Sequence, residues 1–322
     1  MSGERELLQR LCLGPVSGDV LARDAGLTRA AMWKRIELLR QVGVGIEASP
    51  GRGYALVRPV ELLDASEITT RLPRDCTRLL HDIEVVWSLD STNSELLRRK
   101  TPPRGTSVLL AEQQTSGRGR RGRSWSSPLA AHVYLSLARH FSGGLARLGG
   151  LSLVAGVATA EALHAGGFGQ ARLKWPNDLV VQGRKLGGLL VEGGGEHGGP
   201  VRAVIGIGIN VRMPAEFANG IDQPWTDLDS LASAATSRNA LVALLLQHLL
   251  PALELFDEQG LAPCLPRYAQ LDALLGCDVE VRTGETRVHG RYRGVADDGA
   301  LLREAETGPR SFHAGEVSVR AR

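Results

Sequence analysis

Cysteine is scarce and scattered. Cys12, Cys76, Cys264 and Cys277 are the only four. No two stand at metal-ligand spacing, so a disulfide framework or a cysteine-built metal site is not expected; free, partly buried thiols in a reducing cytoplasm are. An excess of one charge is also missing. Basic residues number 38 against 35 acidic ones, a formal net charge of +3. That balance neither demands nor excludes nucleic acid and leaves the question to local clusters. No unbroken apolar run reaches the roughly 18 residues of a membrane helix. The richest stretch, Leu241–Phe256, is interrupted by Gln247, His248 and Pro251 and reads as a core helix. Met1–Arg10 carries charges and no apolar centre, so no secretory signal is expected. Internal repeats are not evident. What is present is hydrophobic material, 43% of 322 residues, enough for two or three domains with cores of their own. A cytoplasmic protein without a membrane segment is expected.

The pattern divides the chain. In residues 1–63, helical patterns at Ser17–Asp24 and Thr28–Gln41 flank Ala25-Gly26-Leu27, where Gly26 suits a turn of positive φ. Thr28 is a good N-cap, and Met32, Ile36 and Leu39 recur at i, i+4, i+7 to give one buried face. Val44–Ala48 and Tyr54–Leu56 then flank Ser49-Pro50-Gly51-Arg52-Gly53, a short hairpin with a basic tip. Helix, turn, helix and basic hairpin resemble a winged helix-turn-helix, with Arg29, Lys34, Arg35 and Arg52 as candidate DNA contacts. Residues 64–81 read as a linker with a short helix near Ser66. Residues 82–272 mix strands (Glu84–Trp87, Ser107–Glu112, His132–Ala138, Arg172–Trp175, Lys185–Glu192, Val201–Val211) with helices (Asn93–Lys100, Ala146–Ala165, Arg238–Gln259). The strands come in runs, which favours α+β over doubly wound α/β. Residues 273–322 read as short strands and turns, including a tight Asp298-Gly299 hairpin, and a small β-barrel is expected.

Within the central region, Gly117-Arg118-Gly119-Arg120-Arg121-Gly122-Arg123-Ser124-Trp125 is the most specific motif. Glycine lets backbone N–H groups approach a ligand, and arginine offers a planar fork of donors for carboxylate and phosphate. Trp125 adds a flat face. RNA-binding Arg-Gly tracts recur in low-complexity sequence, whereas this stretch is single and follows a strand pattern. Lys174-Trp175-Pro176-Asn177-Asp178 ends a strand with an amide and a carboxylate, which suit a magnesium ion or ribose and phosphate oxygens; the alternative is a plain turn. Lys185, followed by Leu186-Gly187-Gly188, enters an otherwise apolar strand. A buried lysine is costly unless an anion meets it; the alternative is a snorkelling surface residue. Ser91-Thr92-Asn93 offers hydroxyls and an amide but also suits a helix cap. Gly206-Ile207-Gly208-Ile209-Asn210 lacks the third glycine and following helix of a dinucleotide fingerprint.

The order of Ser91–Asn93, Gln114, Gly117–Trp125, Lys174–Asp178, Lys185–Gly188 and Gly208–Asn210 resembles the bacterial biotin protein ligases over essentially the whole chain. The helix-turn-helix in front resembles the subclass that also represses biotin synthesis genes. The resemblance implies an α+β architecture: a winged helix, a biotin/lipoate ligase catalytic domain and a C-terminal SH3-like barrel. It implies ATP-dependent formation of biotinyl-5′-AMP and transfer of biotin to a lysine of biotin carboxyl carrier protein, with Mg2+ accompanying ATP, an operator DNA partner and a homodimer. By position, Ser91, Thr92, Asn93, Gln114, Gly117, Arg118, Gly119, Arg120, Lys185 and Gly188 would surround biotin. Lys185, Arg118 and Arg120 would carry catalysis. Arg120, Arg121, Arg123, Trp125, Asn177 and Asn210 would hold the nucleotide, and Asp178 the metal. The base that deprotonates the acceptor lysine is left open between Asp178 and the adenylate's own oxygens. Met213–Trp225, which folds over the adenylate in that family, is only loosely similar here. The rivals are a lipoate or octanoate ligase, whose ligand needs no ureido contacts, and a non-catalytic biotin-sensing repressor.

Overall fold

The computed structural model describes residues 2–142, 144–195, 201–283, 286–304, 308–314 and 317–321. The chain opens with α1 (Ser2–Cys12), α2 (Gly18–Asp24) and α3 (Arg29–Gln41), followed by an antiparallel hairpin of β1 (Ile46–Ser49) and β2 (Gly53–Leu56). Ser17 and Thr28 cap α2 and α3 by accepting from the Val20 and Ala31 amides, each at 3.2 Å. Gly26 makes the turn between them at φ +64°. Met32, Ile36 and Leu39 are buried as their period requires. The sequence reading did not identify α1. Its apolar face (Leu7, Leu8, Leu11) is short and lies among Glu4, Arg5, Glu6 and Arg10, yet it closes the small core over α3.

Residues 64–81 are not a linker. They form α4 (Ala65–Thr70), capped by Asp64, and α5 (Arg74–Leu79). Both helices pack on a later helix, and Ile68, Leu72 and Cys76 lie in the main core. The burial comes from three apolar side chains four residues apart, split between two short helices by Pro73, which is why the periodicity looked weak.

The central unit contains β3 (Leu80–Leu89), α6 (Thr92–Arg98), β4 (Thr106–Gln114), β5 (Val133–Phe141), α7 (Leu151–Ala165), β6 (Arg172–Lys174), β7 (Asp178–Val181), β8 (Arg184–Gly195), β9 (Val201–Ile209), α8 (Ala215–Ala218), α9 (Arg238–Gln259) and α10 (Leu265–Leu271). Its strands form one sheet in the order β3-β4-β5-β9-β8-β7-β6; the β3–β4 pair is parallel and the other pairs are antiparallel. Alternation decides which side of the sheet is dry. Leu135, Leu137, Ile205, Ile207 and Ile209 belong to the core that α7 and α9 share. Tyr134, Ser136, Gly206 and Gly208 occupy the intervening positions and point to the other face, where α6 and the loop after β4 lie. By length and composition alone α9 could cross a bilayer. Leu241, Val242, Leu245, Leu246, Leu249 and Leu253 are all buried inside the protein, as expected of a core helix.

The C-terminal strands β10 (Asp278–Thr283), β11 (Thr286–Val295), β12 (Leu301–Arg303), β13 (Arg310–Phe312) and β14 (Val317–Ala321) pair antiparallel in the order β13-β12-β11-β10-β14. This is the small all-β unit expected; a ladder joining its outer strands is not among the described pairings. Val279, Val281, Tyr292, Leu301 and Val319 merge with the central core, so the two units share one interior.

The winged helix is seated as well. Beyond α3, the Leu129 amide donates to the Val42 carbonyl at 2.8 Å. Gly43 has φ +101°, and a Cβ there would come within 2.9 Å of Pro128, 3.1 Å of Phe217 and 3.3 Å of Pro214. Further on, the Leu63 amide donates to Glu112 Oε1 at 2.5 Å, and Glu112 Oε2 accepts from Arg238 at 2.8 Å. Both partners of that ion pair are 4% exposed.

Candidate functional site

The polar face of the sheet lines a cavity of about 520 Å³. Three strand glycines make the space. A Cβ at Gly208 would stand 2.6 Å from the Trp125 ring, one at Gly206 would overlap Asn93, and one at Gly188 would touch Lys185 at 3.4 Å. Bulkier side chains here would fill the floor of the cavity.

At one end of the floor lies a hydroxyl–amide cluster. Ser91 caps α6, accepting from Ser94 N at 3.4 Å, and thereby brings Thr92 and Asn93 to the cavity edge. Gln114 Oε1 accepts from the Thr92 amide at 2.9 Å and lies 3.1 Å from the Thr92 hydroxyl, while Gln114 Nε2 donates to Ser127 Oγ at 3.1 Å. Ser136 Oγ lies 2.7 Å from Thr92 Oγ1 and donates to Asn93 Oδ1 at 2.6 Å. Asn93 Nδ2 donates to Glu192 at 2.9 Å. Ser136, Ser127 and Glu192 were missed from sequence. A serine in the middle of the apolar strand Val133–Phe141, and a glutamate ending Leu186–Val191, were the signals available.

Over the other end runs the glycine–arginine loop. The Gly119 amide bonds Arg123 O at 2.7 Å and the Trp125 amide bonds Gly117 O at 2.8 Å, so the loop is a folded turn, not a loose tract. Gly117 is buried under it, where a Cβ would lie 2.5 Å from Trp125 O; it supports the loop without lining the cavity. Arg121 holds φ +58°, a left-handed conformation that costs about 1–2 kcal/mol for a side-chain-bearing residue. Arg118 Nη2 donates to both oxygens of Glu192, at 2.7 and 2.9 Å. Arg120 donates to Asn177 Oδ1 at 3.0 Å and to the Ala314 carbonyl, which ties the loop to the C-terminal unit. Burial pushes the Arg120 pKa below the usual guanidinium value; Asp178 opposes this, while Arg121 and Arg123 add to it. The guanidinium remains a cation, and an anion entering the cavity would offset the desolvation and the repulsion.

Lys185 and Asp178 complete the wall, with Lys185 Nζ 2.7 Å from Asp178 Oδ1 and 5.6 Å from the Trp125 ring centroid. The indole Nε1 of Trp125 is buried with no hydrogen-bond partner among the described residues, a donor available to a ligand. Asp178 is thus engaged by Lys185. Among the described residues no group of three His, Cys, Asp or Glu could hold a metal by itself. Asn210 also departs from expectation. It is buried behind the wall and donates to Thr226 O at 3.1 Å and Lys185 O at 3.5 Å, fixing the backbone of Lys185 without lining the cavity. Lys185 additionally pairs with the segment after α8, through Lys185 N to Pro224 O and Thr226 N to Lys185 O, both 2.9 Å. Asp222, Gln223 and Pro224 of that segment line the cavity.

On the winged helix, Arg29, Lys34 and Arg52 are exposed, Arg29 in an ion pair with Asp19 at 3.0 Å. Arg35 is half-buried. Its guanidinium lies against Gly3 of α1.

Three family models match the chain: a helix-turn-helix domain over residues 4–55, the biotin/lipoate A/B protein ligase family over 85–210, and the biotin protein ligase C-terminal domain over 274–320. The bifunctional ligase/repressor BirA of Escherichia coli is 40% identical over 305 residues, covering 95% of this chain and 93% of that one. The protein of the same name from Bacillus subtilis is 30% identical over 312 residues, covering 94% of each. The biotin protein ligase of Aquifex aeolicus, solved with biotin and ATP, superposes with a TM-score of 0.65 at 26% identity, over 76% of this chain and all of that one. The likeness to the ligase/repressors covers 94–95% of the chain and so runs through all three units, and on that ground this chain belongs to the biotin protein ligase family, in the form that carries an N-terminal helix-turn-helix.

Proposed function

We propose that this chain activates biotin with ATP and attaches it to a lysine of biotin carboxyl carrier protein. The observation that carries the reading is the placement, in one cavity, of a neutral hydroxyl–amide cluster at one end and converging cations at the other. Thr92 and Gln114, with Ser91 and Asn93 beside them, suit a ureido ring, which needs both donors and acceptors. Arg118, Arg120 and Lys185 suit the meeting of two anions. A biotin carboxylate oxygen attacks the α-phosphorus of ATP, a phosphorus–oxygen bond forms, and pyrophosphate leaves. The lysine nitrogen of the carrier then attacks the acyl carbon, AMP leaves, and the amine gives up its proton. Fixed cations offset the repulsion between carboxylate and phosphate without having to reorganise, the larger part of what such a site contributes. Asn177, Arg121, Arg123 and Trp125 lie where a nucleotide would be held, and the segment 222–224 lies where it would be covered. A lipoate or octanoate ligase would have no use for the cluster at Thr92 and Gln114. The test is biotin-dependent pyrophosphate release followed by biotin transfer to a carrier domain. Octanoate serving as well as biotin would overturn the choice of substrate, and no pyrophosphate with either acid would overturn catalysis.

The second role is repression of biotin synthesis genes by a homodimer loaded with biotinyl-AMP. Arg29, Lys34 and Arg52 are exposed basic residues of the winged helix, and one such helix gains affinity by pairing on a two-fold site. Mobility shifts on the upstream region of the organism's biotin synthesis genes, with and without biotin plus ATP, test it alongside sedimentation. Equal affinity in both states with a monomer throughout would refute it.

A further inference from the structure

Glu192 is a carboxylate that the chemistry above does not use. It stands at the end of β8 behind the cavity wall, facing two groups that do line the cavity. One of its oxygens accepts from Asn93 Nδ2 at 2.9 Å, and both accept from a single nitrogen of Arg118, Nη2, at 2.7 and 2.9 Å. A carboxylate usually takes arginine through two nitrogens side by side, which spends the whole edge of the guanidinium. Here one nitrogen is held, and the structure gives Nη1 and Nε of Arg118 no carboxylate partner among the described ion pairs. Arg118 lines the cavity while its anchor does not. The anchor thus fixes the cation from the rear and leaves its free edge for an anion.

The connection continues from Glu192. Ser136 donates to Asn93 and accepts from the Thr92 hydroxyl, the Thr92 amide donates to Gln114, Gln114 donates to Ser127, and Ser127 Oγ donates to the carbonyl of Trp125 at 3.0 Å. Arg118 stands near one end of the glycine–arginine loop and Trp125 at the other. A single hydrogen-bonded chain therefore starts at one end of the loop, crosses the hydroxyl–amide cluster, and returns to the other end.

We infer that Glu192 is a positioning residue: it aims Arg118 at the anionic end of the bound intermediate and so sets how long the acyl-adenylate stays in the cavity. The inference rests on the ligase reading of the site. Substituting Glu192→Gln keeps the shape but removes the charge and replaces one acceptor with a donor that opposes Arg118 and Asn93. The escape rate of biotinyl-AMP, formed in a single turnover from biotin and ATP, should rise about tenfold or more, the loss expected for a charge-assisted hydrogen bond. Labelling of a bystander protein should rise with it. A merely structural glutamate would give a similar loss whatever occupies position 118, so the comparison is made in two backgrounds. With Arg118 intact Glu192→Gln should speed escape. With Arg118→Met already present it should add less than about twofold. Thermal melts of all four proteins identify any variant that has lost its fold, and Glu192→Asp serves as a second variant, expected to retain the intermediate better than Glu192→Gln. Equal escape from wild type and Glu192→Gln, or an undiminished effect in the Arg118→Met background, would overturn the positioning role while leaving the ligase intact. A wild-type chain that releases no pyrophosphate would overturn both.

Discussion

Lys185 and Asp178 show how much of the site rests on single groups. Lys185 is 17% exposed and bonded to Asp178, and its backbone is clamped by the segment 224–226. An incoming carboxylate or phosphate must share or take over that ammonium. Lys185→Ala should therefore slow pyrophosphate release roughly ten- to hundredfold, the worth of one charge-assisted hydrogen bond of about 1.5–3 kcal/mol, with the thermal melt little changed. Unchanged adenylation by a folded variant would remove Lys185 from the machinery. This residue was legible from sequence because a lone lysine in an apolar strand has few bland explanations. Glu192 and Ser136 were not, since a polar residue in a strand announces only that one face is wet, not which partner crosses to it. Asn210 was misread for the opposite reason. Its place at a strand end matched a ligand role, and only the packing of Thr226 and Lys185 shows that its amide is turned to the backbone.

Elements with a clean period were the readable ones: α3 with its apolar i, i+4, i+7 face, and α9. The elements that escaped were α1, α5, β7, α8, α10 and β13, each short or bounded by turn residues. In β7 the Pro176-Asn177-Asp178 turn leads straight into a four-residue strand. In the sheet itself the glycines of β9 decide the shape of the cavity. Gly208 lies under the indole of Trp125, and any Cβ there pushes the ring toward the space a nucleotide would use. Gly208→Ala should raise the KM for ATP about tenfold while changing the KM for biotin much less, because small-to-large changes in a packed contact typically cost about 1–3 kcal/mol. Equal effects on both substrates would mean that Trp125 does not serve the nucleotide end.

On the scale of the whole molecule, two buried groups tilt stability against each other as pH changes. Burial holds His132 near pKa 4 from an ordinary 6.5, and lifts the Asp272 carboxyl to about 6 from 3.8. Between about pH 6.5 and 4 the unfolded chain binds a proton at His132 that the native state refuses, so stability is lost on acidification. Between about pH 3.8 and 6 the native state keeps a proton on Asp272 that the unfolded chain gives up, so that contribution is lost as pH rises. The two slopes overlap and largely cancel, each spanning at most about 3 kcal/mol. Relative to wild type, Asp272→Asn should make Tm fall more steeply from pH 6.5 to 4, and His132→Asn should make it fall less or rise. Parallel Tm profiles for all three proteins would show that neither group is coupled to folding in this way. The seating of α3 has a different kind of consequence. Its C-terminal turn rests on Pro128 beside the arginine loop and on Pro214 and Phe217 beside the covering segment, so the recognition helix rides on the catalytic body with little slack. In the proposed dimer the two helices would then behave like the jaws of a fixed-span caliper. An operator lengthened by about half a turn of DNA, roughly five base pairs, should lose binding altogether, because the second jaw would meet the wrong side of the duplex; a protein that carried its helices on loose tethers would tolerate the same insertion.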